Sequence, residues 1–188
     1  MNHSQRTVRE LYDLTASTAP TPGGGVVTAL SAMLGVSLIL KAARITRRHG
    51  EQPELDAVEP RLEHLAAAFE RDADADSQAF ARFIQAAKLP KTTAAESAAR
   101  REQMDQAAAA SAQAAIDTLQ HARSAVRLTR RIRCLVSPVM APDITAGMRL
   151  LHVARRNAVD NARGNLEGVG PGPERDRLLG MLERLGRA

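Results

Sequence analysis

The chain has 188 residues and a mass of 20.2 kDa, with a net charge of +5, 44% hydrophobic residues and only four aromatic side chains. That length suits one domain, taken here as residues 1–188, and the apolar content excludes a wholly disordered chain. A core built from Ala, Leu, Val, Ile and Met suits closely packed helices, whereas a β-sandwich or barrel draws on more β-branched and aromatic residues, so the expected class is all-α.

Residues 5–14 place Val8, Leu11, Tyr12 and Leu14 at helical spacing, which predicts a short first helix. The breaker-rich stretch TASTAPTPGGG follows. Thr21 is the expected cap, with Pro22 in the first turn, of a long helix from about Gly24 to Arg48. Its polar content is low until Arg44, so it is expected to be buried all round as the central helix. A second long helix is predicted from about Pro60 to Lys88 and is interrupted by LPKTT. Thr93 and Glu96 form a capping box that opens a third helix, running to about Cys134. SPVMAPD breaks that helix, and a fourth runs from about Asp143 to Leu166. GVGPGP stops it before a short C-terminal helix, and the whole reads as a bundle of long antiparallel helices.

The single cysteine, Cys134, allows neither a disulfide within the chain nor a Cys-based zinc cage. The N-terminus lacks the apolar run of a signal peptide. Gly23–Leu40 comes close to a membrane span but opens on three glycines and runs into Lys41 and Arg44. A soluble, cytoplasmic protein is the expectation. His3, His49, His64, His121 and His152 show no metal-ligand spacing, so no metal is expected. The positive charge is nearly all Arg, with Lys only at 41, 88 and 91, and Arg with abundant Ala also follows from a GC-rich genome. Arg127, Arg130, Arg131 and Arg133 have no interleaved aromatics and read as a solvated helix end, not a nucleic-acid surface.

Five features invite chemistry. Phe69, Ala73, Asp76, Phe80, Phe83 and Ala87 form one helical stripe, which puts the Asp76 carboxyl on an apolar face. Burial raises a carboxyl's pKa, as a general acid/base requires, although such an Asp also serves to cap a helix or bond a buried Arg. Asp72 and Asp74 read as solvated. The glycines Gly23, Gly24 and Gly25 open a helix, where free backbone N–H groups can meet an anion or carbonyl, or where small residues merely permit close packing. Asn157, Asn161 and Asn165 recur one turn apart, as amides that bind a ligand or as a polar seam between helices. Asp143 stands at a helix start and Lys91 in the LPK turn.

Taken in order, Ser17-Thr-Ala-Pro-Thr-Pro-Gly-Gly-Gly25, Asp76-Ser-Gln-Ala-Phe80, Leu89-Pro-Lys91 with Glu96 and Arg100, Asp143, and the closing pair Asn161 and Asn165 resemble the formiminotetrahydrofolate cyclodeaminase and methenyltetrahydrofolate cyclohydrolase family from about residue 7 to 166. The chain departs from the family pattern in several places, among them RRHGEQ after the central helix, where a Lys-Tyr-containing stretch is usual. Arg44-Ile45-Thr46 stands where Asn-Leu-Thr is usual, and Val136-Ser137 and Pro142-Asp143 stand where Gly-Asn and Ser-Asp are usual. The resemblance implies an all-α fold, a tight homodimer, and action on a one-carbon unit carried by tetrahydrofolate, with no tightly bound cofactor. It also implies Asp76 as general acid/base and Asp143 as a second acid or cation stabiliser. Gly23–Gly25 with Asn161 and Asn165 would hold the heterocycle, and Lys91 would pair with a substrate carboxylate. A non-folate C–N ring substrate, a non-catalytic binding role and nucleic-acid binding through the arginines are the competing readings.

Overall fold

The structure is a computed structural model that describes residues 3–48, 50 and 52–186, so His49 and Glu51 lie outside the described residues. Six α-helices follow in order: α1 (Val8–Thr15), α2 (Gly24–Arg47), α3 (Pro53–Ala87), α4 (Ala94–Ile132), α5 (Ala141–Glu167) and α6 (Pro173–Gly186). Single 3-10 turns stand at His3–Gln5 and Pro138–Met140, and no strand occurs among the described residues. The four long helices form the bundle, with α2 packed on α3 and α5, and α4 closing the far side against the same two.

The expected capping box of Thr93 with Glu96 opens α4, and a second one, Thr7 with Glu10, which was not expected, opens α1. Two expected starts move. The N-cap of α2 is Gly23, in extended conformation, not Thr21, and the Thr21–Pro22 peptide is cis. Helix α3 begins at Pro53, not Pro60, which lies inside it. Pro60 is exposed, so the amide it lacks would have faced water, and Leu55, Val58, Leu62, Leu65 and Phe69 carry one buried stripe straight past it.

Helix α2 is long and apolar enough to cross a membrane by length and composition. Here that surface is spent on the core: Val26, Ala29, Ala32, Val36, Ile39 and Ala42 are wholly buried. The helix is not buried all round, however. Leu34 is 57% exposed and Val27 36%, because α3, α4 and α5 cover the other sides and, among the described residues, none buries this ridge.

Helices α2 and α5 touch backbone to backbone at Gly35 and Gly147. A Cβ added to Gly147 would lie 2.6 Å from the Gly35 carbonyl oxygen and 2.9 Å from Ile39 Cγ1. Overpacking of this kind costs about 1–3 kcal/mol. Gly147→Ala is therefore expected to lower the melting temperature by several degrees, read by thermal denaturation, at about 2–4 °C per kcal/mol for a domain of this size.

The unusual Arg44 has a structural use. Its guanidinium pairs with Glu59 at 2.6 Å and with Glu63, while Arg47 pairs with Asp56 and Glu59. These bonds tie the end of α2 to the first turns of α3. Thr46, which keeps the usual residue type, is buried, and its hydroxyl accepts the Ser137 N–H at 2.9 Å.

Candidate active site

The glycine turn, the middle of α3, α4 and the C-terminal half of α5 meet at one cleft of about 230 Å³. It is lined by Pro20, Thr21, Gly23, Gly24, Gly25, Asp76, Phe80, Ser111, Asn161 and Asn165. Helical spacing brings Asp76 there: Phe69 and Ala73 are sealed in the core, Asp76 and Phe83 are half-buried, and Phe80 reaches the surface at 38% exposure. The stripe thus leaves the core and enters the cleft, with Asp76 at the transition.

Gly25 determines how closely Asp76 approaches α2. A Cβ there would stand 2.3 Å from Asp76 Oδ1 and 2.4 Å from its Cγ, so only glycine leaves room for the carboxyl. Gly23 has no side chain to cap the helix, and the first-turn amides have no intrahelical partner. The Val26 N–H turns to Asp76 and donates to its carboxyl. Two opposed influences then act on the proton. Burial raises the Asp76 pKa and outweighs the Val26 hydrogen bond, which lowers it, so the group is pushed up to about 6. A carboxyl in that range both gives and takes protons near neutrality.

The polar edge of the cleft comes from α5 and α4. Asn161 approaches Gly24, its Oδ1 lying 3.9 Å from where a Gly24 Cβ would stand, and Asn165 follows one turn later. Asn157, one turn earlier, is exposed and lines no part of the cleft, since four residues overshoot a helical turn and successive members rotate round the helix. Phe80 stacks on Phe83 with ring centres 6.4 Å apart, giving the rim a flat apolar surface. Ser111, buried on α4, was not anticipated; its only signal is a lone hydroxyl within the run AAAASAQAA.

Two of the expected site residues stand apart from the cleft within one chain, and one residue read as solvated is buried. Asp143 does not join Asp76 within the chain: it sits at the start of α5, eighteen residues or about 27 Å of helix before Asn161, and pairs with Lys41 at 2.9 Å. Lys91 is exposed in the α3–α4 loop and lines no part of the cleft, because α3 continues for eleven residues, about 17 Å, beyond Asp76. Asp72 is buried, not solvated. It accepts hydrogen bonds from Thr118 Oγ1 at 3.3 Å and His121 Nδ1 at 2.8 Å, because α4 brings both partners to the face of α3 one turn before Asp76. Asp74 is half-buried and accepts the His3 backbone N–H at 3.2 Å.

Arg127, Arg130, Arg131 and Arg133 are exposed as expected, and no cluster of three His, Cys, Asp or Glu side chains converges as metal ligands among the described residues. The cleft is therefore a small pocket with one half-buried carboxyl, two amides, a flat aromatic rim and a helix N-terminus.

No curated protein sequence matches the chain. Among solved structures, formiminotetrahydrofolate cyclodeaminase from Thermotoga maritima has the same fold, with a TM-score of 0.84 at 19% sequence identity, over 98% of this chain and 90% of that one. The sequence model described as formiminotransferase-cyclodeaminase matches residues 7–171, a span that takes in the glycine turn, Asp76 and both cleft asparagines. On that match the chain belongs to the formiminotransferase-cyclodeaminase family.

Proposed function

We propose that this protein is an acid/base enzyme acting on a C–N bond of a cyclic amidinium carried by a tetrahydrofolate, as a cyclohydrolase or a cyclodeaminase. One observation carries the reading: the half-buried Asp76 carboxyl, protonating at about 6, stands against the Gly25–Val26 helix start in a cleft with Asn161, Asn165 and Phe80. The cleft is smaller than the roughly 300–1,000 Å³ of pockets for drug-sized ligands. The reactive heterocycle enters, and the remainder of an extended substrate lies outside along α3, toward Lys91.

In the hydrolytic direction Asp76 accepts a proton from the water that attacks the amidinium carbon, giving a neutral tetrahedral adduct. It returns that proton to the leaving nitrogen as the C–N bond breaks, and the adduct's hydroxyl proton is released as the carbonyl forms. A cation and water thus become a neutral amide, an N–H and one free proton. In the cyclodeaminase reaction the ring-closing nitrogen attacks a formimino carbon instead; Asp76 accepts the proton that this nitrogen loses and returns it to the amino group, which leaves as ammonia. Asn161 and Asn165 bond the heterocycle's polar edge, and Phe80 meets its face.

The proposal includes a homodimer built on the uncovered ridge of Val27, Leu34 and the half-buried Leu38. A two-fold axis at Leu34 would lay α2 antiparallel on its copy. Gly25 and Lys41 stand nine and seven residues either side of Leu34, about 10–14 Å of helix, so each cleft would face the partner's Lys41 and Asp143. This arrangement gives Asp143 the role of second acid that it lacks within one chain. Leu34→Arg is expected to give a folded monomer without turnover by sedimentation velocity; an unchanged dimer would remove this part of the proposal.

The direct test is the loss of methenyltetrahydrofolate absorbance in the presence of wild type and Asp76→Asn, with thermal shift to read binding. Turnover by wild type alone supports the reading. Equal turnover by both removes Asp76 from it, and the absence of binding and turnover points to a non-folate ring.

A further inference from the structure

Behind the cleft, on the core side of Asp76, is a second void of about 10 Å³ lined by Gly25, Thr28, Asp76, Ala114, Ala115, Thr118, Ala158 and Asn161. Its volume is that of about one water, and Asp76, Thr118, Thr28 and Asn161 are enough polar partners to hold one. Thr118 is the informative member. A threonine hydroxyl has one proton to donate, and here Asp72 Oδ2 at 3.3 Å and the Ala114 carbonyl at 3.1 Å both draw it away from the void. Asp72 is buried and is held as an acceptor by His121 Nδ1 at 2.8 Å, whose ring also meets Phe69 edge-on. The Thr118 oxygen therefore offers only lone pairs to the void.

Resting on Asp76 as the acid/base group, we infer that Thr118, oriented by the Asp72–His121 pair, is a positioning residue that holds a water in this void with its protons turned toward Thr118 and the inner oxygen of Asp76. Such a water donates to both. The water thereby makes the core-side oxygen of the carboxyl an acceptor, so that the exchangeable proton rides on the oxygen facing the cleft, where substrate lies. The chain α4–α3–cleft thus selects which carboxyl oxygen performs the chemistry. Nothing in the Asp76 stripe alone does so.

The charged groups around this device are few. His121 faces Asp72 and Arg71 of α3 and Asp117 of its own helix, and Asp117 in turn faces Arg177 of α6. The Asp72 hydrogen bond is the largest influence on His121 and raises its pKa, which favours the protonated ring.

The test is a 13C titration of the Asp76 carboxyl by NMR, assigned with Asp76→Asn, in wild type, Thr118→Val and Thr118→Ser. Thr118→Val removes the water's anchor and is expected to raise the Asp76 midpoint by about one pH unit, a tenfold gain in proton affinity, as a charge-assisted donor is lost. Thr118→Ser restores it. Thr118→Ala, which takes out the same hydroxyl with less bulk, gives the same rise if the valine packs poorly. His121→Gln gives a smaller rise, and the acidic limb of the turnover–pH profile follows each midpoint. A Thr118→Val protein with an altered melting temperature but an unmoved midpoint overturns the inference, as does a high-resolution crystal structure with no water bonded to Asp76 and Thr118. Asp76→Asn with normal turnover would sink the proposed function and leave the midpoint result standing. Asp76→Asn inactive with the midpoint unmoved in Thr118→Val would sink this inference alone.

Discussion

Asp76→Asn is expected to lower turnover by about 10²–10⁴-fold while making the protein more resistant to heat above pH 6. Both effects have one origin. Asn keeps the size of the side chain and still accepts the Val26 N–H, so the cleft retains its shape, but it cannot exchange a proton with substrate. The thermal effect follows from linkage. The Asp76 pKa is raised in the folded chain from 3.8 to about 6, so between those values the native state binds more protons than the unfolded state. Stability therefore falls as pH rises through that window, and above about pH 6 the folded protein bears the full cost of an ionised, desolvated carboxylate. At about 1.4 kcal/mol per pH unit that cost is about 2–3 kcal/mol, and Asn does not incur it. Melting curves of the two proteins should coincide near pH 4 and separate by several degrees near pH 8, with the variant higher. Curves that separate in the opposite sense would show that the carboxylate is stabilised where it stands.

Gly25→Ala separates geometry from chemistry. The added methyl would stand 2.3–2.5 Å from all three carboxyl atoms of Asp76, so the carboxyl must rotate out of its place against α2. The backbone has no reason to object: Gly25 lies in the first turn of a regular helix, where Ala is favoured over Gly by up to about 1 kcal/mol. The expected result is a fall in kcat approaching that of Asp76→Asn, with a melting temperature within a few degrees of wild type. The pH profile should also change, because a displaced carboxyl loses the burial that raised its pKa. Near-normal kcat would mean that Asp76 acts without contact with the glycine turn.

The two substitutions touch the residues that were most legible in advance. A carboxylate at helical spacing among phenylalanines and three glycines at a helix start are local patterns, and each reports a local constraint. The bundle was legible for the same reason: the capping box at Thr93 and the apolar periodicity of α2 to α5 are written within a turn or two of chain. Pro60 misled because a proline's cost depends on what its missing amide would have met, and here that is water. Asp72 misled because its partners come from another helix, forty-six and forty-nine residues away.

What the order of residues determined by itself is therefore the helices, the apolar stripe that carries Asp76, and the family to which the chain belongs. Tertiary packing alone decided which polar groups meet. It brought Asn161 and Ser111 to Asp76, sent Asp143 to Lys41 at the opposite end of α2, and placed Asp72 and His121 behind the cleft. The physical reason is one of range. Helix propensity, capping and periodicity act over about four residues, whereas the pairing of buried charges is settled only when helices tens of residues apart in the chain come within hydrogen-bond distance.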